Sequence, residues 1–150
     1  MRDTRRIVER KIVEGVSPEE IVASFNEPEE KEEAEYWVVN TASLGDRRRF
    51  LVLNILLSAL LGFVTLKKIM VLFAMGRFDF LMLFSLVVPC INLYLLGEIM
   101  KYRRMGYQLL AFLSLLSLVN AENREMPELI IMPCMAALAF FLYHRMFRER

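Results

Sequence analysis

From Phe50 to Phe147 the chain is almost continuously apolar, cut into four blocks by short charged clusters. This pattern restricts the fold more than any other feature. The hydrocarbon core of a bilayer is roughly 30 Å thick and takes about 20 residues of helix to cross. Block one is Phe50–Leu66, closed by Lys67 and Lys68. Block two is Phe78–Met100, closed by Lys101, Arg103 and Arg104. Block three runs from Met105 to Ala121, and block four from Met126 to Tyr143. Blocks three and four are short for full spans and suit a thin bilayer or packing inside a bundle. Residues 69–76 are apolar but too few to cross alone. They extend the first helix or lie in the interface, with the lysines snorkelling.

The expected fold is therefore all-α: a polytopic membrane protein with four transmembrane helices and a small helical N-terminal cytoplasmic head. The boundary falls near residue 46, giving a head over 1–46 and a transmembrane bundle over 47–150. Charge follows the same division. Residues 1–46 hold 12 Asp/Glu and 6 Lys/Arg, while residues 47–150 hold 6 and 13. At 56% hydrophobic residues the chain exceeds the 45–50% of soluble domains by a similar count.

No secretory signal is expected at the N-terminus, because no apolar core follows Arg2, Arg5, Arg6 and Arg10. The first apolar block would target the chain. Orientation follows the positive-inside bias. With the N-terminus inside, nine Lys/Arg flank the inner ends (Arg47–Arg49, Lys101, Arg103, Arg104, Arg145, Arg148, Arg150) and four the outer ones (Lys67, Lys68, Arg77, Arg124). The last outer loop is acidic, through Glu122, Glu125 and Glu128. Both termini are expected in the cytoplasm. The small size and short spans suggest a bacterial-type inner membrane.

A weak internal repeat relates Val88-Pro89-Cys90-Ile91 to Met132-Pro133-Cys134-Met135. It suggests two tandem helical hairpins, with Pro89 and Pro133 as matched kinks framing a cavity or hinge. Chance is the competing explanation, since proline is common in such helices. Ionisable groups inside a membrane point to function, and only Glu98 approaches that description, with Lys101 or Arg104 as its expected partner. Asn54 and Asn92 are the deepest amides and are expected to hydrogen-bond between helices. Ser58, Ala59 and Gly62 in block one are small enough to let another helix approach closely.

In the head, Ser17-Pro18-Glu19-Glu20 is a capping box opening a short helix with Ile21, Val22 and Phe25 on its apolar side. Ile7, Val8, Ile12 and Val13 mark an amphipathic helix before it, ending near Gly15. A third helix opens at Pro28 with an acidic first turn, and its apolar side is Ala34, Trp37, Val38, Thr41 and Ala42. So small a core is marginal alone, so the head is expected to lean on the bundle or a partner. Ile21, Phe25 and Trp37 form the candidate docking face. Tyr36, Trp37, Tyr102, Tyr107 and Tyr143 are read as an interfacial aromatic belt.

Catalysis is not expected. His144 is the single histidine, and no nucleophile, zinc or phosphate-loop motif occurs. Cys90 and Cys134 lack CxxC partners, so neither a disulfide framework nor a metal site is indicated. No cofactor is implied. The ten methionines serve packing. The expected partners are membrane lipids together with other proteins or further copies of the chain; nucleic acid is excluded by the acidic head. The function expected first is a non-catalytic integral membrane subunit or scaffold, docking partners through its head and membrane helices. The alternative is a homo-oligomeric pore or small transporter, with Asn54, Asn92 and the proline kinks facing a shared lumen.

Overall fold

The computed structural model describes residues 3–74, 80–119 and 126–147. Among the described residues the chain is all-helical, without a strand. Arg77, Asp79, Glu122, Arg124, Glu125, Arg148 and Arg150 lie outside them.

The head begins with α1 (Thr4–Glu14), whose N-cap Asp3 accepts from the Arg6 N–H. Gly15 ends it in the left-handed region, at φ +83°, and its N–H reaches the Ile12 carbonyl. Only glycine takes that conformation without a Cβ penalty. α2 (Pro18–Ala23) starts where the capping box predicts, with the Ser17 side chain accepting from the Glu20 N–H at 3.3 Å. α3 (Pro28–Val39) has Pro28 at its first position and an acidic first turn. Val8, Ile12, Ile21, Phe25, Ala34 and Val38 make one small core.

α3 ends earlier than its apolar pattern predicts. Thr41 and Ala42 leave the helix, yet both are buried. The chain then forms α4 (Leu44–Arg49), capped by Ser43, whose hydroxyl accepts from the Asp46 N–H at 3.2 Å.

α5 (Leu51–Ala74), α6 (Phe80–Met100), α7 (Arg104–Ser117) and α8 (Glu128–Phe147) form the bundle. α5 absorbs residues 69–74, so that segment extends the first helix. Among the described residues two helices, α5 and α8, are long and apolar enough to cross a membrane. At 1.5 Å per residue they reach about 36 and 30 Å. α6 has 21 residues, or about 31 Å. α7 has 14 residues, or about 21 Å, short for a full span.

α5 packs most closely on α6, and α7 on α8. Between these hairpins lies a second core, built from Leu57, Leu61, Leu95, Tyr107, Met135 and Leu142 among others. The outside of the bundle is also apolar. Val52, Ile55, Phe63, Phe112, Ile130 and Phe140 are all exposed. Only 22% of the most apolar stretch of α5 is buried, and 33% of that of α8. Soluble monomers rarely leave contiguous apolar surface of this kind open to water.

Candidate functional site at the junction of head and bundle

The head meets the bundle at the α6–α7 turn. α6 ends in a tight reversal: the Tyr102 N–H bonds to the Ile99 carbonyl at 2.9 Å and the Arg103 N–H to the Glu98 carbonyl at 3.1 Å. This is the paired bonding of a Schellman motif, with Tyr102 at φ +57° in the place usually held by glycine. The turn leaves Lys101 exposed and folds Arg103 back under the helix end.

Backbone bonds then tie the turn to the segment between α3 and α4. The Ala42 N–H donates to the Tyr102 carbonyl at 3.0 Å, and the Arg104 N–H to the Asn40 carbonyl at 2.9 Å. Thr41 and Arg103 form an isolated antiparallel bridge. Arg47 closes the corner. Its Nε donates to the Ala42 carbonyl at 3.0 Å, and its guanidinium lies 5.2 Å from the Tyr102 ring centroid. Burial pulls the Arg47 pKa below its usual value, opposed by the charge of Glu9.

At the centre sits the Arg103 side chain, 4% exposed. It donates to Glu98 on α6 through Nη1, and to Glu9 on α1 through Nε at 2.9 Å and through Nη2. Arg5 of α1 reaches Glu98 at 3.8 Å. The Trp37 ring receives both cations, with Arg5 4.7 Å and Arg103 5.5 Å from its centroid. One arginine thus joins α1, α3 and α6. Glu98 pairs with Arg103 and Arg5, not with Lys101 or Arg104 as expected, because the left-handed turn reverses which cation faces it.

One layer further into the bundle lies a neutral network. The Tyr107 hydroxyl donates to Asn54 Oδ1 at 2.6 Å, and Asn54 Nδ2 donates to the Ile99 carbonyl at 3.3 Å. Asn54 therefore links α5, α6 and α7, as an interhelical amide is expected to. Tyr107 is fully buried, so it does not belong to an aromatic belt. Gly106 allows this closeness: a Cβ there would come within 2.9 Å of Glu98 Cβ and 3.1 Å of the Ile99 nitrogen. Gly62, an expected close-approach position, has nothing within 4 Å of the point where a Cβ would stand.

The other expected residues scatter. Ile21 and Phe25 are buried in the head's own core, so of the candidate docking face only half-buried Trp37 is partly accessible, and both arginines lie against it. Asn92 is half-buried and lines a cavity between the two hairpins, away from Asn54. Pro89 is buried and Pro133 exposed, and neither side chain lines that cavity, although the preceding Val88 and Met132 do. Sequence pattern alone does not single out Arg103, Glu9, Tyr107 or Gly106 as site residues. The one signal it carries is Arg5 and Glu9 at helical spacing, an i,i+4 pair at 3.4 Å.

Chemically the junction is closed. Its charges face one another, and among the described residues no group of three or more His, Cys, Asp or Glu could hold a metal ion. His144 stacks on Phe140 at 6.2 Å, at the same end of the bundle. No family model, curated protein or solved structure matches this chain.

Proposed function

We propose that the chain is an integral membrane protein and that it serves as a non-catalytic subunit or scaffold, carrying an acidic head rigidly mounted on the membrane surface. The observation that carries this reading is the junction itself. Arg103 joins Glu9 of the head to Glu98 of the bundle, and the backbone of residues 40–42 bonds to the α6–α7 turn, so these charges hold the head in place instead of forming a reactive centre. A head fixed in this way presents one surface at a constant height and angle.

In this reading α5 and α8 cross the bilayer, and α6 and α7 complete a four-helix bundle within it. Exposed apolar side chains on all four helices support lipid as the surrounding medium. Arg48, Arg49, Lys101 and Arg145 surround the head end of the bundle, where Lys101 and Arg49 are exposed. By the positive-inside bias this end faces the cytoplasm, with both termini there. A bacterial-type inner membrane fits the small size.

The outward face of the head is acidic: Glu27, Glu29, Glu32, Glu33 and Glu35 are all exposed. Protein partners with basic docking segments match it. A pore has less support, because Asn54 is fully engaged between helices and Asn92 faces an apolar seam.

Native mass spectrometry of the tagged protein, extracted gently with its lipids, is the test. A foreign subunit in stoichiometric amount is expected. It should be lost when Glu29, Glu32 and Glu33 become Lys, while membrane insertion is unchanged. A pure homo-oligomer that conducts ions in liposomes would replace the scaffold with the pore.

A further inference from the structure

The seam between the hairpins is not filled at the end away from the head. A cleft of about 220 Å³ opens there, lined by all four bundle helices. Leu61 and Val64 of α5, Val88 and Ile91 of α6, Leu110 of α7 and Met135 of α8 form its walls. Dry apolar cavities of about 150 Å³ already bind a benzene-sized hydrocarbon. This one is half open to its surroundings, so in a membrane its neighbours are acyl chains.

Two groups give the cleft polarity. Ser114 is 3% exposed, lines the cleft, and its hydroxyl has no hydrogen-bond partner. A buried, unpaired hydroxyl is disfavoured, and an occupant with an acceptor would remove that penalty. Lys68 supplies a cation at the same site. It lies about 25 Å along α5 from Leu51, near the far edge of the hydrocarbon core. Its neighbour Lys67 is paired with Glu128, which begins α8. The cleft thus offers apolar walls, a buried hydroxyl with the Asn92 amide nearby in the lining, and a lysine at headgroup depth.

We propose that this cleft binds one apolar chain of an amphiphile whose anionic headgroup meets Lys68, in the leaflet opposite the head. The proposal rests on the membrane reading above. A phospholipid and a free fatty acid share this chemistry, and the test separates them.

Full-length protein is reconstituted in vesicles containing one of three probes, each with a photoreactive diazirine on its acyl chain: phosphatidylglycerol, phosphatidylcholine or a fatty acid. Labelled peptides are then mapped. Phosphatidylglycerol or the fatty acid is expected to label Val88–Asn92 and Leu113–Ser117, and the more effective of the two identifies the natural source. Labelling by phosphatidylcholine should be about fivefold weaker, the contribution of one lysine beside an anionic headgroup. Ser114→Phe fills the cleft and should reduce this labelling to background. Lys68→Gln, at a half-exposed position that leaves packing intact, should abolish the preference for anionic probes.

Labels confined to outward positions such as Val52, Ile55 and Phe140 would overturn the cleft while leaving the membrane reading standing. Equal labelling by all three probes, unaffected by Lys68→Gln, would overturn the headgroup assignment. A protein that fails to float with the vesicles would remove the membrane reading and the cleft together.

Discussion

The two ends of the bundle hold two buried polar side chains, Arg103 and Ser114, in different ways. At the head end, Arg103, Glu98, Asn54 and Tyr107 all have partners, and the backbones approach so closely that Gly106 has no room for a methyl. At the far end the helices part around a cleft, and Ser114 has a hydroxyl without a partner. A fully bonded polar group fixes one arrangement of helices, whereas an unbonded one in a cleft marks a place for something else. The same chain therefore has a rigid end and a receptive end.

The largest effect is expected at the centre of the rigid end. Arg103→Leu leaves Glu98 and Glu9 facing each other without the arginine that separates them. Breaking a buried ion pair from one side costs about 3–5 kcal/mol. Hydrogen exchange should rise across α1 to α3, and a protease should cut between Asn40 and Asp46. Adding Glu98→Leu to Arg103→Leu should recover part of the loss, since the more buried of the two carboxylates is then gone and Glu9 keeps its pair with Arg5 at 3.4 Å. Unchanged protection of the head in the single variant would mean that the backbone bonds of residues 40–42 hold the junction alone.

Gly106→Val tests whether closeness itself matters. A Cβ there already meets Glu98 Cβ at 2.9 Å, and overpacking of this kind costs about 1–3 kcal/mol. The expected outcome is a lower unfolding midpoint in detergent, with α6 and α7 pushed apart. Gly62→Val, with open space around it, should change little. Equal effects at both glycines would remove the distinction between a tight end and a loose one.

The junction is the part hardest to read from sequence, for physical reasons that particular residues make plain. Gly15, Ser17-Pro18 and Pro28 announce the ends of α1, α2 and α3 because the signals are local. The apolar blocks likewise announce α6 to α8 to within four residues, while α5 runs eight residues past Leu66. Tyr102 gives no such warning: it adopts a left-handed turn without being glycine. With that turn unseen, Lys101 and Arg104 look like the natural partners of Glu98, and Arg103 passes for one more interfacial cation. The bridge between Thr41 and Arg103 joins distant parts of the chain, so no window of sequence contains it. Thr41 and Ala42 continue the apolar spacing of α3, so periodicity assigns them to its apolar side. Their burial comes instead from the turn they pair with. The cleft is equally hidden, because a serine in an apolar helix carries no mark of whether it will find a partner.

Two hydroxyl deletions sharpen the comparison most cleanly, being nearly the same chemical change at opposite ends. Tyr107→Phe removes the donor to Asn54 Oδ1 and leaves a buried amide half-bonded. Interhelical hydrogen bonds in membranes are worth about 0.6 kcal/mol on average and at most about 1.7. A loss near 1 kcal/mol is expected, read as a lowered midpoint in a reversible detergent-unfolding titration. Ser114→Ala removes a hydroxyl that has no partner to lose. Its expected effect is within about 0.5 kcal/mol and, in the absence of lipid, not destabilising, since an unpaired buried group is removed and no bond is broken. Measured with anionic lipid present, the same variant should lose part of the stabilisation that lipid confers, because binding to the folded state alone raises stability by mass action. A clear loss of stability from Ser114→Ala in lipid-free detergent would show that the hydroxyl is bonded within the protein, and the two ends of the bundle would then be alike.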